Sequence, residues 1–177
     1  MKKTFLISLL MILVSSMSFA QVSNGKSSGK VAYIYSEKVF KSMPEYLTAV
    51  AEIEQYAEYG QKISDSKLEE VESMFNEFRN VESSLSVTSR ESLKNQIIAK
   101  EKAANEYEEN FFSEGGALEK KQKELMEPIE RKVLSAVDAI ALENDYDMIF
   151  DLSTSTSTIY QKPQLDLTNE IITRIKK

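Results

Sequence analysis

The chain has no cysteine, no histidine and no tryptophan in its 177 residues. Without cysteine there is no disulfide framework, no thiol nucleophile and no thiolate metal site. Without histidine the chain lacks the side chain that titrates nearest neutrality and most often ligates metals. Few enzymatic chemistries survive both losses, and the reading is of a protein that is not an enzyme. Glycine and proline are scarce, at five and three, so helices meet few breakers. Basic residues are outnumbered 22 to 28, a net charge of -6. An acidic chain has no general attraction to phosphate backbones, which excludes nucleic acid as an expected partner. Gly115-Gly116 is followed by Ala-Leu-Glu rather than by the lysine of a phosphate-binding loop. Asn144-Asp145-Tyr146-Asp147 with Asp151 has some of the acidic spacing of a calcium loop, but neither its glycine nor its closing glutamate. No metal and no cofactor are therefore expected. The runs Glu69-Glu70-Val71-Glu72 and Glu106 to Glu109 read as solvated helix faces.

What is present begins with Lys2-Lys3, an apolar run from Thr4 to Val14, and small residues at Ser18 and Ala20. This is the pattern of a signal peptide over 1–20, cleaved between Ala20 and Gln21, and the run is short for a membrane span. No cysteine follows it, so no lipid attachment is expected. Removal of Lys2 and Lys3 leaves 20 basic against 28 acidic residues, a net of -8. Residues 21–29 are polar and contain glycine, a flexible leader.

The stretch from Glu45 to Leu142 dominates the chain. Residues of one face recur at steps of three and four: Val50, Ile53, Ala57, Gly60, the polar Ser64 and Lys67, then Val71, Met74, Phe78, Val81 and Leu85. After Ser86 the period resumes at Leu93, Ile97, Ala104, Tyr107, Phe111, Leu118, Leu125, Ile129, Val133 and Ile140. A helical period this long predicts two antiparallel helices with a tip near Ser86. Thr88 with Glu91 has the spacing of a capping box for the second helix. Arms of roughly 40 residues reach about 60 Å at 1.5 Å per residue, too long to curl into a core, so they project. Residues at equal height should have numbers that sum to about 173. That places Pro128 beside Glu45 at the root, where the arm is expected to change direction.

Strand signals occur only near the ends. Val31 to Tyr35 is a β-branched and aromatic run, and Tyr146 to Asp151 alternates. Ile159-Tyr160 is expected to return as the second strand of a hairpin, Pro163 to stop it, and Asp166 or Thr168 to cap a last helix with Ile171, Ile172 and Ile175 on its apolar face. A sheet this small is marginal alone, so the chain is expected to oligomerise through a shared apolar centre. The fold class is mostly α with a small β-body (α+β): residues 30–44 and 129–177 form the body and 45–128 a helical hairpin. The expected oligomerisation residues are Val31, Ile34, Ile149, Phe150 and Ile159.

These end segments carry a resemblance. Val31-Ala32-Tyr33-Ile34-Tyr35-Ser36-Glu37-Lys38-Val39-Phe40 with Met43-Pro44-Glu45-Tyr46, and Tyr146-Asp147-Met148-Ile149-Phe150-Asp151 with Leu165-Asp166-Leu167-Thr168-Asn169-Glu170-Ile171-Ile172, are similar to the two ends of the Skp/OmpH family of periplasmic chaperones. The middle matches in length and helical character only. The resemblance implies a jellyfish-like homotrimer, with a β-barrel-like body and three helical tentacles around a cavity. It implies an ATP-independent periplasmic holdase for unfolded outer-membrane β-barrel proteins. The other reading is a structural coiled-coil adaptor of the cell envelope that binds one folded partner. Well-known members of the family are basic and this chain is acidic, so no site for anionic lipid or lipopolysaccharide is carried over.

On the arms, Phe78 and Phe111 fall on the seam period. Tyr59, Phe75 and Phe112 fall beside it and are the candidate client-binding residues. The sum rule sets Gly115 and Gly116 at the level of Gly60. Each glycine weakens a helix by about 1 kcal/mol against alanine, so this band reads as a hinge. The other reading is close packing, in which glycine lets two backbones approach. The two differ in sign: alanine at these positions stabilises a hinge and clashes in a packed crossing.

Overall fold

The structure, a computed structural model, describes residues 29–154 and 157–177. The expected signal peptide, and the leader up to residue 28, lie outside the described residues. The protein is mostly helical, with a two-stranded sheet and long helices. Strand β1 is Val31–Ile34 and helix α1 Ser36–Lys41; the long helix α2 runs Pro44–Val81. Helix α3 is Val87–Phe112 and α4 Ala117–Glu143, followed by strand β2 (Met148–Asp151) and helix α5 (Thr168–Ile175).

Pro44 opens α2 at its first turn, where its missing N–H removes no helical bond and its fixed φ is already helical. At 38 residues the helix is about 57 Å long. It ends in a single 3-10 turn over Glu82–Ser84. The Arg90 guanidinium donates to the Glu82 carbonyl at 3.0 Å, and the Ser84 hydroxyl to the Val81 carbonyl at 2.7 Å. The tip falls at Leu85–Ser86, as the periodicity predicts. The cap differs from the expectation: Ser86, not Thr88, closes the N-terminus of α3 by accepting from the Ser89 amide at 3.2 Å. Serine reaches that amide from the residue just outside the helix, whereas Thr88 is already inside it.

The return arm is two helices rather than one. Gly115 has φ +73, a left-handed conformation that glycine adopts without steric cost. Its amide donates to the Glu119 carboxylate at 2.6 Å, and the Gly116 amide to the Ser113 carbonyl at 2.9 Å. Four residues therefore leave the helical path between α3 and α4. The antiparallel register holds on both sides of this break. Ion pairs join Glu70 to Lys100, Glu52 to Lys121 and Glu45 to Lys132, all near the expected sum of about 173 for helices of equal rise. Pro128 lies inside α4, at the level of Glu45 and Ala49. Helix α4 also runs without interruption across the expected boundary between arm and body.

The body closes where the arms return. Strands β1 and β2 pair in parallel, Val31 opposite Met148 and Ile34 opposite Asp151. The expected hairpin is not formed: among the described residues Ile159 and Tyr160 belong to no strand, and Ile159 is fully exposed. β-Propensity depends on context and does not by itself make a strand. Among the described residues β1 pairs with β2 on one side and bridges to Asp166 on the other, while the outer edge of β2 carries no strand. Ala32, Ile34, Val39, Met43, Ala49, Ile129, Val133, Ala136, Ile140, Leu167 and Ile171 form one core, with Ile149, Ile172 and Ile175 packed against it. The cap position of α5 is Leu167, not Asp166 or Thr168, and its side chain makes no cap bond; Asp166, one residue earlier, accepts from the Thr168 amide at 2.9 Å, and the Thr168 hydroxyl accepts from the Tyr35 amide at 3.0 Å. The Arg174 guanidinium grips the Glu143 carboxylate. The last helix is thus fixed to both β1 and the end of α4.

The acidic residues of the body serve the fold. Asp147 accepts from the Lys30 amide at 2.5 Å. Asp151 accepts from the amides of Ser36 at 3.2 Å and Ser153 at 2.9 Å. Partial burial raises the Asp151 pKa, but the hydrogen bonds from Ser36 and Ser153 together outweigh it and hold the group below the ordinary carboxylate range. No helix among the described residues is long and apolar enough to cross a membrane.

Candidate functional site

Two surfaces carry more apolar area than packing within the chain requires. The first is the arm. Its helices meet along one stripe in which Gly60, Ser64, Phe78, Ile97, Ala104 and Phe111 are buried, so Phe78 and Phe111 sit in the seam as their period predicts. Beside the seam, Tyr59 is 59% exposed, Phe75 49% and Phe112 37%. The structure brings Tyr59 and Phe112 to one level and sets Phe75 apart. Phe112 packs edge-on against Phe111, which stacks with Tyr107 and meets Tyr56. Burial pushes the Tyr107 phenol up, and neighbouring Tyr59 and Tyr56 add to the shift. Phe75 lies 16 residues beyond Tyr59, or about 24 Å along the helix.

Nearer the tip, Met74, Phe78, Val81, Leu93 and Ile97 line a groove between the helices, and Leu68, Val87 and Ile98 are exposed. Periodicity had not singled out Ile98. Its signal is the pair Ile97-Ile98: successive residues lie about 100° apart on a helix, so if Ile97 enters the seam Ile98 must leave it.

At the crossing of the arms Gly60 is in close contact with the opposite helix and Gly116 with carbonyl oxygens. A Cβ on Gly60 would overlap the Phe111 ring. A Cβ on Gly116 would lie 2.8 Å from the carbonyl oxygens of both Phe111 and Ser113, while Gly115 has open space but a positive φ. This geometry supports the close-packing reading of Gly60 and Gly116. Helix α2 passes through Gly60 without a break, and the missing side chain is what admits Phe111. The departure from helix lies at Ser113–Gly116 alone.

The second surface is the outward side of the sheet. Alternation along a strand sends neighbours to opposite faces. Ala32, Ile34 and Ile149 face the helical core, while Val31, Met148 and Phe150 are exposed. Val31, Tyr33, Phe150, Leu152, Tyr160 and Leu165 line a shallow apolar groove there. Of the five residues expected to oligomerise, Val31, Phe150 and Ile159 are exposed, and Ile34 and Ile149 are engaged within their own chain. Met148 and Tyr160 are exposed as well.

Charge divides between the same two regions. From Pro44 to Glu143 there are 22 acidic and 12 basic residues, a net of -10; residues 30–43 and 144–177 hold 6 and 7, a net of +1. Among the described residues no acidic group is arranged to hold a metal ion.

A long two-helix arm rising from a small mixed body is a known architecture. An OmpH-like crystal structure from Caulobacter crescentus CB15, assigned as a candidate outer membrane chaperone, superposes with a TM-score of 0.66 at 10% sequence identity, over 89% of both chains. The family model described as outer membrane protein (OmpH-like) matches residues 30–175. The chain belongs to this OmpH-like family. No curated protein matches it.

Proposed function

We propose that this protein is a periplasmic, ATP-independent holdase that binds unfolded outer-membrane β-barrel proteins in transit, and that it works as a homotrimer. The observation that carries this reading is the distribution of apolar side chains on the arm. Tyr59 and Phe112 are exposed at one level of the projecting arm and Phe75 and Ile98 at another, nearer the tip. Dispersed apolar contacts suit a chain without fixed shape, whereas a single folded partner is gripped through one contiguous patch. Membership of the OmpH-like family supports the same reading, as does the assignment of the Caulobacter structure. The trimer is supported by the uncovered sheet face: a two-stranded sheet with exposed Val31, Met148 and Phe150 is marginal until something covers it.

The test is suppression of light scattering when a urea-denatured outer-membrane barrel protein is diluted into buffer. A near-stoichiometric amount of this protein should suppress aggregation without ATP. Tyr59→Ser, Phe75→Ser and Phe112→Ser together should weaken suppression while circular dichroism shows the helices intact. No suppression by the wild type would leave the adaptor reading standing.

A further inference from the structure

The acidity of the arm is not spread evenly. Between the levels of Glu52–Lys121 and Glu69–Ala104, the two helices carry ten carboxylates and four basic side chains, a net of -6 of the arm's -10. The same band holds Tyr56, Tyr59, Tyr107, Phe111 and Phe112. Two of its four ammonium groups are already engaged, Lys121 with Glu52 and Lys67 over the Tyr107 ring at 5.5 Å. Glu54, Glu58, Glu108, Glu109 and Glu114 are exposed, and each forms no ion pair in the described chain. Glu108 and Glu109 precede Phe112 by four and three residues, so they share its side of the helix. A ring face attracts cations through its quadrupole, and unpaired carboxylates around it add a field of the same sense.

We propose that this mid-arm band is a station for cationic stretches of an unfolded polypeptide. Arginine or lysine side chains lie over Tyr59 and Phe112, and the neighbouring apolar residues of the same segment cover the ring edges. The inference rests on the holdase reading and adds a selectivity to it: clients with basic segments are held in preference to acidic ones. The tip third of the arm, with Phe75 and Ile98, supplies the charge-neutral contacts.

The experiment uses the full mature protein and two denatured model clients of equal length and apolar content, one with net charge +10 and one with -10. Competition for a fluorescently labelled copy of each gives the affinities. The basic client should bind at least about tenfold more tightly, the scale of effect that a focused field produces, and the preference should shrink as salt rises from 20 to 300 mM. Glu58→Gln, Glu108→Gln, Glu109→Gln and Glu114→Gln together should remove most of the preference, with helix content and sedimentation unchanged. The salt series on the wild type decides the matter should that variant fold poorly. Equal, salt-insensitive affinity for the two clients would overturn the selectivity and leave the holdase reading intact. Binding of neither would overturn both.

Discussion

The body and the arm draw on the same apolar alphabet to different ends. In the body, Val39, Met43, Ile140 and Ile171 are fully buried, contributed by three helices and the residue just before α2, and charge is nearly balanced. In the arm each helix buries a single stripe and the rest of its surface is solvated; the helices from Pro44 to Glu143, all of α4 included, carry a net charge of -10. A core surrounded on all sides fails as a unit when one piece is removed. A seam between two helices can open locally, because each turn keeps its own backbone hydrogen bonds. Exposed rings are tolerated on the arm because nothing in its stability depends on hiding them.

Matched truncations sharpen this contrast. Ile140→Ala should cost about 2–5 kcal/mol, the range for a buried aliphatic whose cavity cannot collapse. It should lower the melting temperature of the whole chain. Ile97→Ala in the seam should cost less and register as faster amide exchange confined to the tip half. Equal global effects would make arm and body one cooperative unit. Next in size is Gly60→Ala. The added methyl meets the Phe111 ring, and overpacking of this kind costs about 1–3 kcal/mol. Phe111→Leu in the same chain should restore part of the loss. A stabilised Gly60→Ala protein would return the crossing to the hinge reading.

The proposed trimer separates the two faces of the sheet. Val31→Asp with Phe150→Asp should yield monomers by sedimentation while helix content is kept, because both side chains are exposed within the chain. Ile34→Asp should instead unfold the body, since it sets an unpaired charge in the core. Wild-type-like trimers from the first pair would mean that another surface assembles. The smallest expected effect is one of pH. Asp151 has a lowered native pKa, so its contribution to stability is complete above the ordinary aspartate value of about 3.9 and fades as pH falls through the native value. Asp151→Asn should flatten that part of the acid melting curve without changing stability below it. A variant that stays pH-sensitive there would shift the effect to other carboxylates.

The arm was far more legible in the sequence than the body. A period of 3.6 sustained over two stretches announces its own faces, so Phe78 and Phe111 fell in the seam and Tyr59, Phe75 and Phe112 beside it before any coordinates. Pro44 and the serine cluster around Ser86 marked the ends. The break at Ser113–Gly116 was read as softness within one helix, because a per-residue cost does not reveal that Gly115 adopts a left-handed φ. The contact at Gly60 escapes propensity for a related reason. Propensity concerns one helix, and the use of Gly60 is set by a ring on another. In the body the period is two and the strands have four residues each, too few to show which face is inward. Val31 and Ile34, or Ile149 and Phe150, cannot share a face, and that rule alone would have divided the expected interface. The failed hairpin shows the same limit: β-propensity at Ile159 and Tyr160 does not decide whether that segment joins the open edge of β2.

The parallel pairing of β1 with β2 has a consequence in time. Val31 and Met148 are drawn from the two ends of the chain, so no part of the sheet can form until nearly all of the chain is available. Closing so long a loop is entropically costly for a random coil. The arm removes most of that cost, since a hairpin of two helices built from local contacts delivers the chain back to its starting point. Helices and their tip should therefore form first and the sheet last, giving a fast helical phase and a slower one that reports the environment of Tyr33. A chain cut after Glu143 should keep the first phase and lack the second. The length of the arm, which sets how far it reaches, also makes it the jig on which the body is assembled.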